Sequence, residues 1–430
     1  MEFSSFIPLL LMLVLFLLKV PIAFSLLIST GVYFIFFNDN MPVEFFIQQV
    51  IASTESFTYL AIPFFACAGV VFNYSGITTR LMKLAELFSG HLKGGMGQVN
   101  VVLSAMMGGL SGSANADAAM QTKIIVPEMV KLGYSKGFST VVTAASSCIT
   151  PIIPPGIILI LYAVLANVSI ADMFLAGIVP GILLTIALMV TVSIIAKKRN
   201  YAASRDKRGT IMEILKQTLQ SIWALGLPLG IIMGLRLGVF TPTEAGAVAV
   251  LYAVVIGAFI YKELKWKHLP AILIESVLAT AGVMFIIAAA SAFGSYLTWE
   301  QIPMMVSEYL IGNINNPLMF LLVINLFLLV VGCFFEGGAA LILLTPILLP
   351  AALHMGIDPV HFGIILSLNL TIAGFTPPFG TMMFITTSMA RVKLEEYMKE
   401  SLPFIGVLIL VLLIVTYIPQ VVLFLPNLTS

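Results

Sequence analysis

The sequence predicts an all-α polytopic membrane protein made of two inverted repeats, each with about five transmembrane helices and one re-entrant hairpin. Three observations predict it. Of the 430 residues 60% are hydrophobic and only 10% charged, with a mean hydropathy of +1.08, more apolar surface than a soluble domain can hide. Adding 223 to a residue number carries Pro127, Gly133, Pro154 and Pro155 onto Pro350, Gly356, Pro377 and Pro378. Each copy also holds hydrophobic segments interrupted by Gly, Pro and hydroxyl residues. Such breaks at matching places in two halves point to the binding site of a secondary transporter.

The spans fall at about 5–18, 20–37, 56–73, 137–165, 171–196, 217–236, 243–261, 276–296, 361–388 and 402–424, with apolar stretches at 97–133 and 317–353 set aside as hairpins. With residue 1 outside and each hairpin returning to its own face, all of the 21 Lys and Arg except Arg236 share one side. The positive-inside rule makes that side cytoplasmic. The outer segments carry Glu2, Asp39, Glu44, Asp172, Glu300, Glu308 and Asp358. Five spans per copy invert the second copy relative to the first. A bacterial inner membrane is the expected home, with the N-terminus periplasmic. The acidic start Met1-Glu2 and a second span close behind argue against a cleaved signal peptide.

The first repeat covers 1–196, with its hairpin at 97–133 and a broken helix at 137–165; the second covers 213–430, with hairpin 317–353 and broken helix 361–388. Between them lies a cytoplasmic linker, 197–212, within the polar run Ala196 to Thr210. Segments 76–93 and 297–313 correspond under the offset and mix charge with apolar residues at helical spacing, as Leu81, Leu84, Leu87 and Phe88 do against Arg80, Lys83 and Glu86. They read as interfacial helices on opposite faces. Gly226, Gly230, Gly234 and Gly238 form a small-residue stripe suited to close helix packing in a rigid scaffold. Cys67, Cys148 and Cys333 lie in apolar segments without metal spacing and read as small buried hydrophobes. The charge balance of +1, without a basic stripe, gives no reason to expect nucleic acid; the partner it implies is the lipid bilayer.

The first hairpin turns at Gly108 to Met120 (GGLSGSANADAAM), where Ser111, Ser113, Asn115 and Asp117 add side-chain oxygens to free carbonyls. A turn at membrane depth must face protein or a wet cavity, and its second arm presents a helix N-terminus that favours an anion. The facing break, Thr143 to Gly156, contains Pro151, Pro154 and Pro155, which free carbonyls near Ser146, Ser147 and Thr150. In the second copy the turn at Val331 to Pro346, with Gly337 and Gly338, faces Asn369 to Thr381, with Thr371, Thr376 and Thr381. Neutral oxygens of this kind suit a hard monovalent cation rather than a transition metal. The deep acids are Asp117 and Glu336, with Glu244 near the outer face, and the four His (His91, His268, His354, His361) fall at interfaces. A proton relay would want a chain of such groups, so sodium is the expected coupling ion. Asp117 is open to two roles, ligand contact or capping of hairpin amides.

SGSANAD with its downstream PPG, the central GVFTPTEAGAVAV (Gly238 to Val250) and the late GFTPPFG resemble the large membrane subunit of TRAP transporters, tripartite ATP-independent systems that depend on a periplasmic binding protein. The resemblance covers essentially the whole chain, with the sialic-acid branch first and C4-dicarboxylate systems next. It implies a scaffold, a mobile transport domain moving as an elevator, sodium coupling and no organic cofactor. It also implies two partners: a small four-helix membrane subunit, expected as a separate protein because the chain starts at the first span, and a soluble protein delivering the acid. Arg236 departs from the smaller residues expected beside that central motif; docking of the delivery protein and a scaffold ion pair with Glu244 are both open, the ion pair being favoured.

Carried over residue by residue, the resemblance implies one sodium among Ser111, Ser113, Asn115, Ser146, Ser147 and Thr150. A second would lie among Gly337, Gly338, Thr371 and Thr376. The substrate carboxylate would lie near Ser111, Ser113, Asp117, Thr376, Phe379 and Thr381. Spans 5–37 and 217–261 with the interfacial segments would form the scaffold. A stand-alone sodium/dicarboxylate carrier is the nearest alternative, and FTPTEAGA disfavours it. The pairing of inverted breaks favours alternating access over a channel. An enzyme is not expected: no HExxH, P-loop or GxSxG occurs, and Gly109 to Ser113 reads GLSGS.

Overall fold

The structure, a computed structural model, describes residues 6–18, 20–38, 42–55, 57–205, 207–314 and 316–429. Glu2, Lys19, Asp39 and the acidic start therefore lie outside the described residues. The fold is all-helical, with no strand among the described residues. One group of helices comprises α1 (Ile7–Leu17), α2 (Ile22–Phe36), α3 (Val43–Glu55), α4 (Ala61–Tyr74) and α5 (Ile77–Ser89). Then come the hairpin α6 (Gly95–Ser111) and α7 (Ala114–Lys131), the interrupted pair α8 (Lys136–Ser146) and α9 (Ile157–Ala166), and the long α10 (Ile170–Arg199). The second half runs α11 (Ile211–Arg236), α12 (Pro242–Val255), α13 (Leu269–Trp299) and α14 (Ile302–Asn313). It closes with hairpin α15 (Pro317–Phe334) and α16 (Gly337–His354), the pair α17 (Pro359–Phe375) and α18 (Thr381–Ala390), and α19 (Leu394–Tyr417) and α20 (Pro419–Thr429).

Local chemistry sets these boundaries. Ser113, Ser135 and Ser169 cap α7, α8 and α10 through their hydroxyls, and Thr210 and Thr241 form full capping boxes with Glu213 and Glu244. Gly112, at a φ of +57°, turns the first hairpin where an L side chain would be strained. Shifting α7 by 223 reproduces the bounds of α16, and the Pro154-Pro155 and Pro377-Pro378 bonds, 223 apart, are both cis. Seven helices are long and apolar enough to cross a membrane, two of them being α15 and α16.

Two sets of helices pack among themselves and also against each other, along α5 and α4 on α6, α11 on α6 and α10, and α13 and α14 on α16. In one, α2 and α4 lie on α13 and α12, and α11 lies on α5. In the other, α10 packs on α6, α9, α17, α19 and α20. The first is pinned by polar ties: Arg80 donates to Glu263 at 2.6 Å and to the Gly76 carbonyl at 2.9 Å, stacked over Tyr261 at 3.9 Å, while Tyr33 donates to Glu300. In the second, Asn369 donates to Asn325 at 2.7 Å, and Asn325 to Thr416 at 3.0 Å.

Several expectations are corrected. Residues 43–55, read only as an outer segment, form α3; its apolar side is broken by Gln48, Gln49 and Ser53, which hid it. The span at 276–296 is part of a helix running from Leu269 to Trp299, so only 302–313 remains for the second interfacial helix. Among the described residues the glycine stripe seats no helix along most of its length: a methyl at Gly226 would meet only the Tyr252 hydroxyl of α12, at 3.8 Å, nothing lies within 4 Å of one at Gly230 or Gly238, and Gly234 makes room for the returning Phe240 ring. Arg236 does not pair with Glu244, which its own capping box consumes; the guanidinium reaches Asp172 at 2.9 Å. Of the cysteines, Cys148 is buried, whereas Cys67 and Cys333 are only half-buried. His361 opens α17 but is packed inside, its Nε2 2.8 Å from the Val415 carbonyl.

Candidate functional site

The two hairpin tips converge on a cavity of about 150 Å³. The first tip contributes Gly112, Ser113, Ala114 and Asn115; the second contributes Glu336, Gly337, Gly338 and Ala339. Thr371 and Gly374 from α17 and Thr381 and Met382 from α18 complete the polar half, and Ile158, Leu161, Val283 and Ile286 the apolar half. Both α7 and α16 begin at this wall, so two helix N-termini aim their partial positive charge at one space. Among the described residues no Lys or Arg lines it, and the one charged lining side chain is Glu336, which accepts from the Ala339 amide at 3.0 Å as the cap of α16.

Of the residues expected at a site, Ser113, Asn115, Gly337, Gly338, Thr371 and Thr381 come together here. Ser113 accepts from the Ala116 amide at 3.4 Å, and Thr381 donates to the Asn115 amide oxygen at 3.2 Å. Ser111 ends α6 behind the wall, its hydroxyl 3.5 Å from the Met107 carbonyl. Thr376 ends α17 with its hydroxyl on the Ile372 carbonyl at 2.7 Å. Phe379 is half-exposed and packs on Phe334, ring centroids 5.2 Å apart. None of these three lines the cavity.

Behind the first hairpin lies a second, fully buried polar cluster. Asp117, 1% exposed, accepts from Ser104 at 2.8 Å and from the Gln121 amide at 2.8 Å, while the neighbouring Ser147 and Thr150 hydroxyls donate to the Thr143 and Ser104 carbonyls at 2.8 Å and 3.3 Å. Nearby, Ser146 donates to the Asn100 amide oxygen at 2.8 Å, and Asn100 donates to the Thr143 hydroxyl at 2.7 Å. Asp117 is thus grouped with Ser147 and Thr150 rather than with Thr376, Phe379 and Thr381, and it caps no helix, since Ser113 does that. A buried carboxylate ringed by hydroxyls and an amide is a hard-oxygen donor set suited to a small cation.

Sequence reasoning missed Ser104, Asn100 and Gln121. Gln121 was within reach, one turn after Asp117 on the same helix face. The other two face the cluster only once α6 has folded back on α7. Adding 223 to Ser104, Asp117, Gln121, Ser147 and Thr150 gives Phe327, Ala340, Leu344, Leu370 and Ala373, so these residues around Asp117 have no polar counterpart in the second half, whereas Ser146 maps onto the polar Asn369.

Residues 9–421 match the family described as "Tripartite ATP-independent periplasmic transporter, DctM component". The chain is 38% identical over 425 residues to the sialic acid TRAP transporter permease protein SiaT of Haemophilus influenzae, covering 99% of this chain and 68% of that one. It is 38% identical over 408 residues to the sialic acid large permease SiaM of Vibrio cholerae, covering 95% of each. The C4-dicarboxylate large permease DctM of Pseudomonas aeruginosa is 37% identical over 379 residues, 88% of each. Among solved structures, the Alcanivorax borkumensis YdaH transporter superposes with a TM-score of 0.62 at 14% identity, over 96% of this chain and 98% of that one. Neisseria gonorrhoeae MtrF follows with a TM-score of 0.56 at 11% identity, over 96% of each.

Proposed function

Because the chain belongs to the family of the DctM component of tripartite ATP-independent periplasmic transporters, we propose that it imports sialic acid with sodium across the bacterial inner membrane. Family membership makes it a multi-pass transporter permease rather than an enzyme, one that works with a small membrane subunit and a periplasmic binding protein. In this reading the N-terminus is periplasmic and the Lys- and Arg-rich loops cytoplasmic.

One observation carries the proposal: two opposed helix N-termini and their hydroxyl-bearing tips enclose a cavity lined by no basic side chain. An acid there needs positive charge, which the helix dipoles supply in part and sodium supplies in full. The first sodium takes the oxygens around Asp117, Ser147 and Thr150, with Ser111, Ser113, Asn115 and Ser146 at its margin. The second lies beside Gly337 and Gly338 with Thr371 and Thr376, drawing on carbonyls that end α15, since those that open α16 bond within the helix. The acid carboxylate then meets Ser113, Asn115 and Thr381, with Phe379 at the rim. Ion binding orders both tips, and the body holding α6–α10 and α15–α20 slides as an elevator past α1–α5 and α11–α14. Two sodium ions with one monoanion move net positive charge inward, and each such charge gains about 2.3 kcal/mol per 100 mV.

The test is uptake of radiolabelled sialic acid into proteoliposomes holding this chain and its small subunit. Runs with and without the binding protein, and with potassium for sodium, separate the parts of the reading. Uptake requiring both sodium and the soluble protein supports it. Sodium-dependent uptake of succinate but not sialic acid moves the substrate to C4-dicarboxylates, the second reading, which the Pseudomonas relative favours. Uptake needing no soluble protein overturns the tripartite mechanism for this chain.

A further inference from the structure

We propose that the Arg236–Asp172 ion pair bridges the scaffold and the moving body and sets how much of the protein rests in the inward-displaced arrangement. The inference rests on the elevator reading above. Arg236 ends α11, which packs on α5 and α12; Asp172 opens α10, which packs on α6, α9, α17 and α19. The other side-chain ion pairs found among the described residues stay within one body or tie the linker to α11: Arg80 with Glu263, Lys131 with Glu128, Arg199 with Glu400, and Arg205 with Glu213. Beside the Arg236–Asp172 pair runs an open cleft of about 510 Å³ between the same two bodies, walled by Tyr59, Leu235 and Phe240 on one side and by Asn167, Ser169 and Ala171 on the other. The cleft leaves the boundary open at this end, while α11 also packs on α6 and α10 along its length.

The direction of the bias follows from comparing the two halves. A methyl on Gly69 would lie 3.4 Å from the Ser111 backbone, so the first tip sits on the later, cytoplasmic half of α4. The offset makes Ala292 the counterpart of Gly69, and equal placement would set the second tip there. Instead the second tip shares its cavity with Val283 and Ile286, roughly two helical turns nearer the cytoplasmic end of α13. Phe335 of that tip also stacks on Phe16 at 4.0 Å, at the cytoplasmic end of α1. Both tips are therefore displaced toward the cytoplasm, and the Arg236–Asp172 pair at 2.9 Å belongs to that arrangement. Outward sliding carries Asp172 beyond the reach of Arg236. The pair is partly exposed, with side chains 26% and 32% accessible, so its bias is modest, about two- to fivefold in population.

Arg236 is thus a positioning residue, and spin-label distances test it. Labels go on Leu237→Cys of the scaffold and Leu353→Cys at the outer end of α16, with Cys67 and Cys333 replaced by Ala and the buried Cys148 kept. In the otherwise unaltered chain two distances should appear, their ratio shifting with sodium; a single fixed distance would overturn the elevator reading itself. Given two distances, Arg236→Gln and Asp172→Asn should each raise the outward population about two- to fivefold. The double variant should add nothing further, and the swap Arg236→Asp with Asp172→Arg should restore the ratio. Raised salt should move the unaltered chain toward the variants and leave the variants in place. Unchanged populations in both single variants, or additive shifts in the double, would overturn the inference.

Discussion

Thr381 at the start of α18 donates its hydroxyl to the amide oxygen of Asn115 in the first turn of α7, across 3.2 Å and 266 residues of sequence. This bond ties the second half's broken helix to the first half's hairpin at the cavity wall. Opening of the first tip must break it.

Thr381→Val keeps the shape of the side chain and deletes the donor. Loss of one such bond costs about 0.5–1.5 kcal/mol, so half-saturation for the acid should rise about two- to tenfold while the protein melts close to its usual temperature. Uptake kinetics over a range of acid concentrations check this, and an unchanged half-saturation would remove Thr381 from the site.

Asp117→Asn preserves volume but deletes the charge ringed by Ser104, Gln121, Ser147 and Thr150. If that carboxylate holds sodium, the sodium concentration for half-maximal uptake should rise at least about tenfold, since hydrogen bonds and contacts to charged groups are worth about 1.5–3 kcal/mol. Sodium titration at saturating acid reads the effect. A purely structural aspartate would lower the melting temperature and leave the sodium curve in place.

Gly112→Ala places a methyl against the Pro155 carbonyl at a backbone φ of +57°. Holding an alanine in that left-handed conformation costs about 1–2 kcal/mol, and the collision adds to it. Uptake should fall steeply while the yield of folded protein in detergent falls much less, because the turn sits at a tip and not in a core.

Asn325→Ala removes the middle of the chain from Asn369 to Thr416. The Asn369 amide then keeps only the backbone carbonyl of residue 325, at 3.0 Å, and the bond to Thr416 is lost, at about 0.5–1.5 kcal/mol for each deleted bond. A lower melting temperature is expected, with sodium dependence of the remaining uptake unaltered.

Much of this architecture is legible in the sequence because membrane helices advertise themselves by length and the breaks by Pro and Gly. The second hairpin, read as 317–353, is Pro317–Phe334 and Gly337–His354, and the first, read as 97–133, is Gly95–Ser111 and Ala114–Lys131. What could not be read depends on partners remote in sequence. Arg236 has two acids within plausible reach, and only the fold reveals that Glu244 is occupied by Thr241 while Asp172 is free to bond it. Asn100 and Ser104 look like ordinary polar residues inside an apolar run until α6 folds against α7 and α8. The helix α3 escaped because a short mixed segment gives weak periodicity.

The polar cluster around Asp117, whose second-half counterparts are all apolar, bears on how this transporter could be retuned. If sodium binds around Asp117 as proposed, its affinity can be graded by exchanging single side chains, Ser for Thr or Gln for Asn, with the backbone left alone. At the second tip, among the described residues, the only hydroxyl on the cavity wall from α17 belongs to Thr371, whose proton goes to the Ser367 carbonyl at 2.7 Å while its lone pairs stay open, so the other oxygens there are carbonyls fixed by the turn itself. Selection for altered sodium affinity should therefore return side-chain replacements in the first half and changes to or from Gly and Pro in the second. One duplicated unit would then offer evolution a fine adjustment on one side and a coarse one on the other.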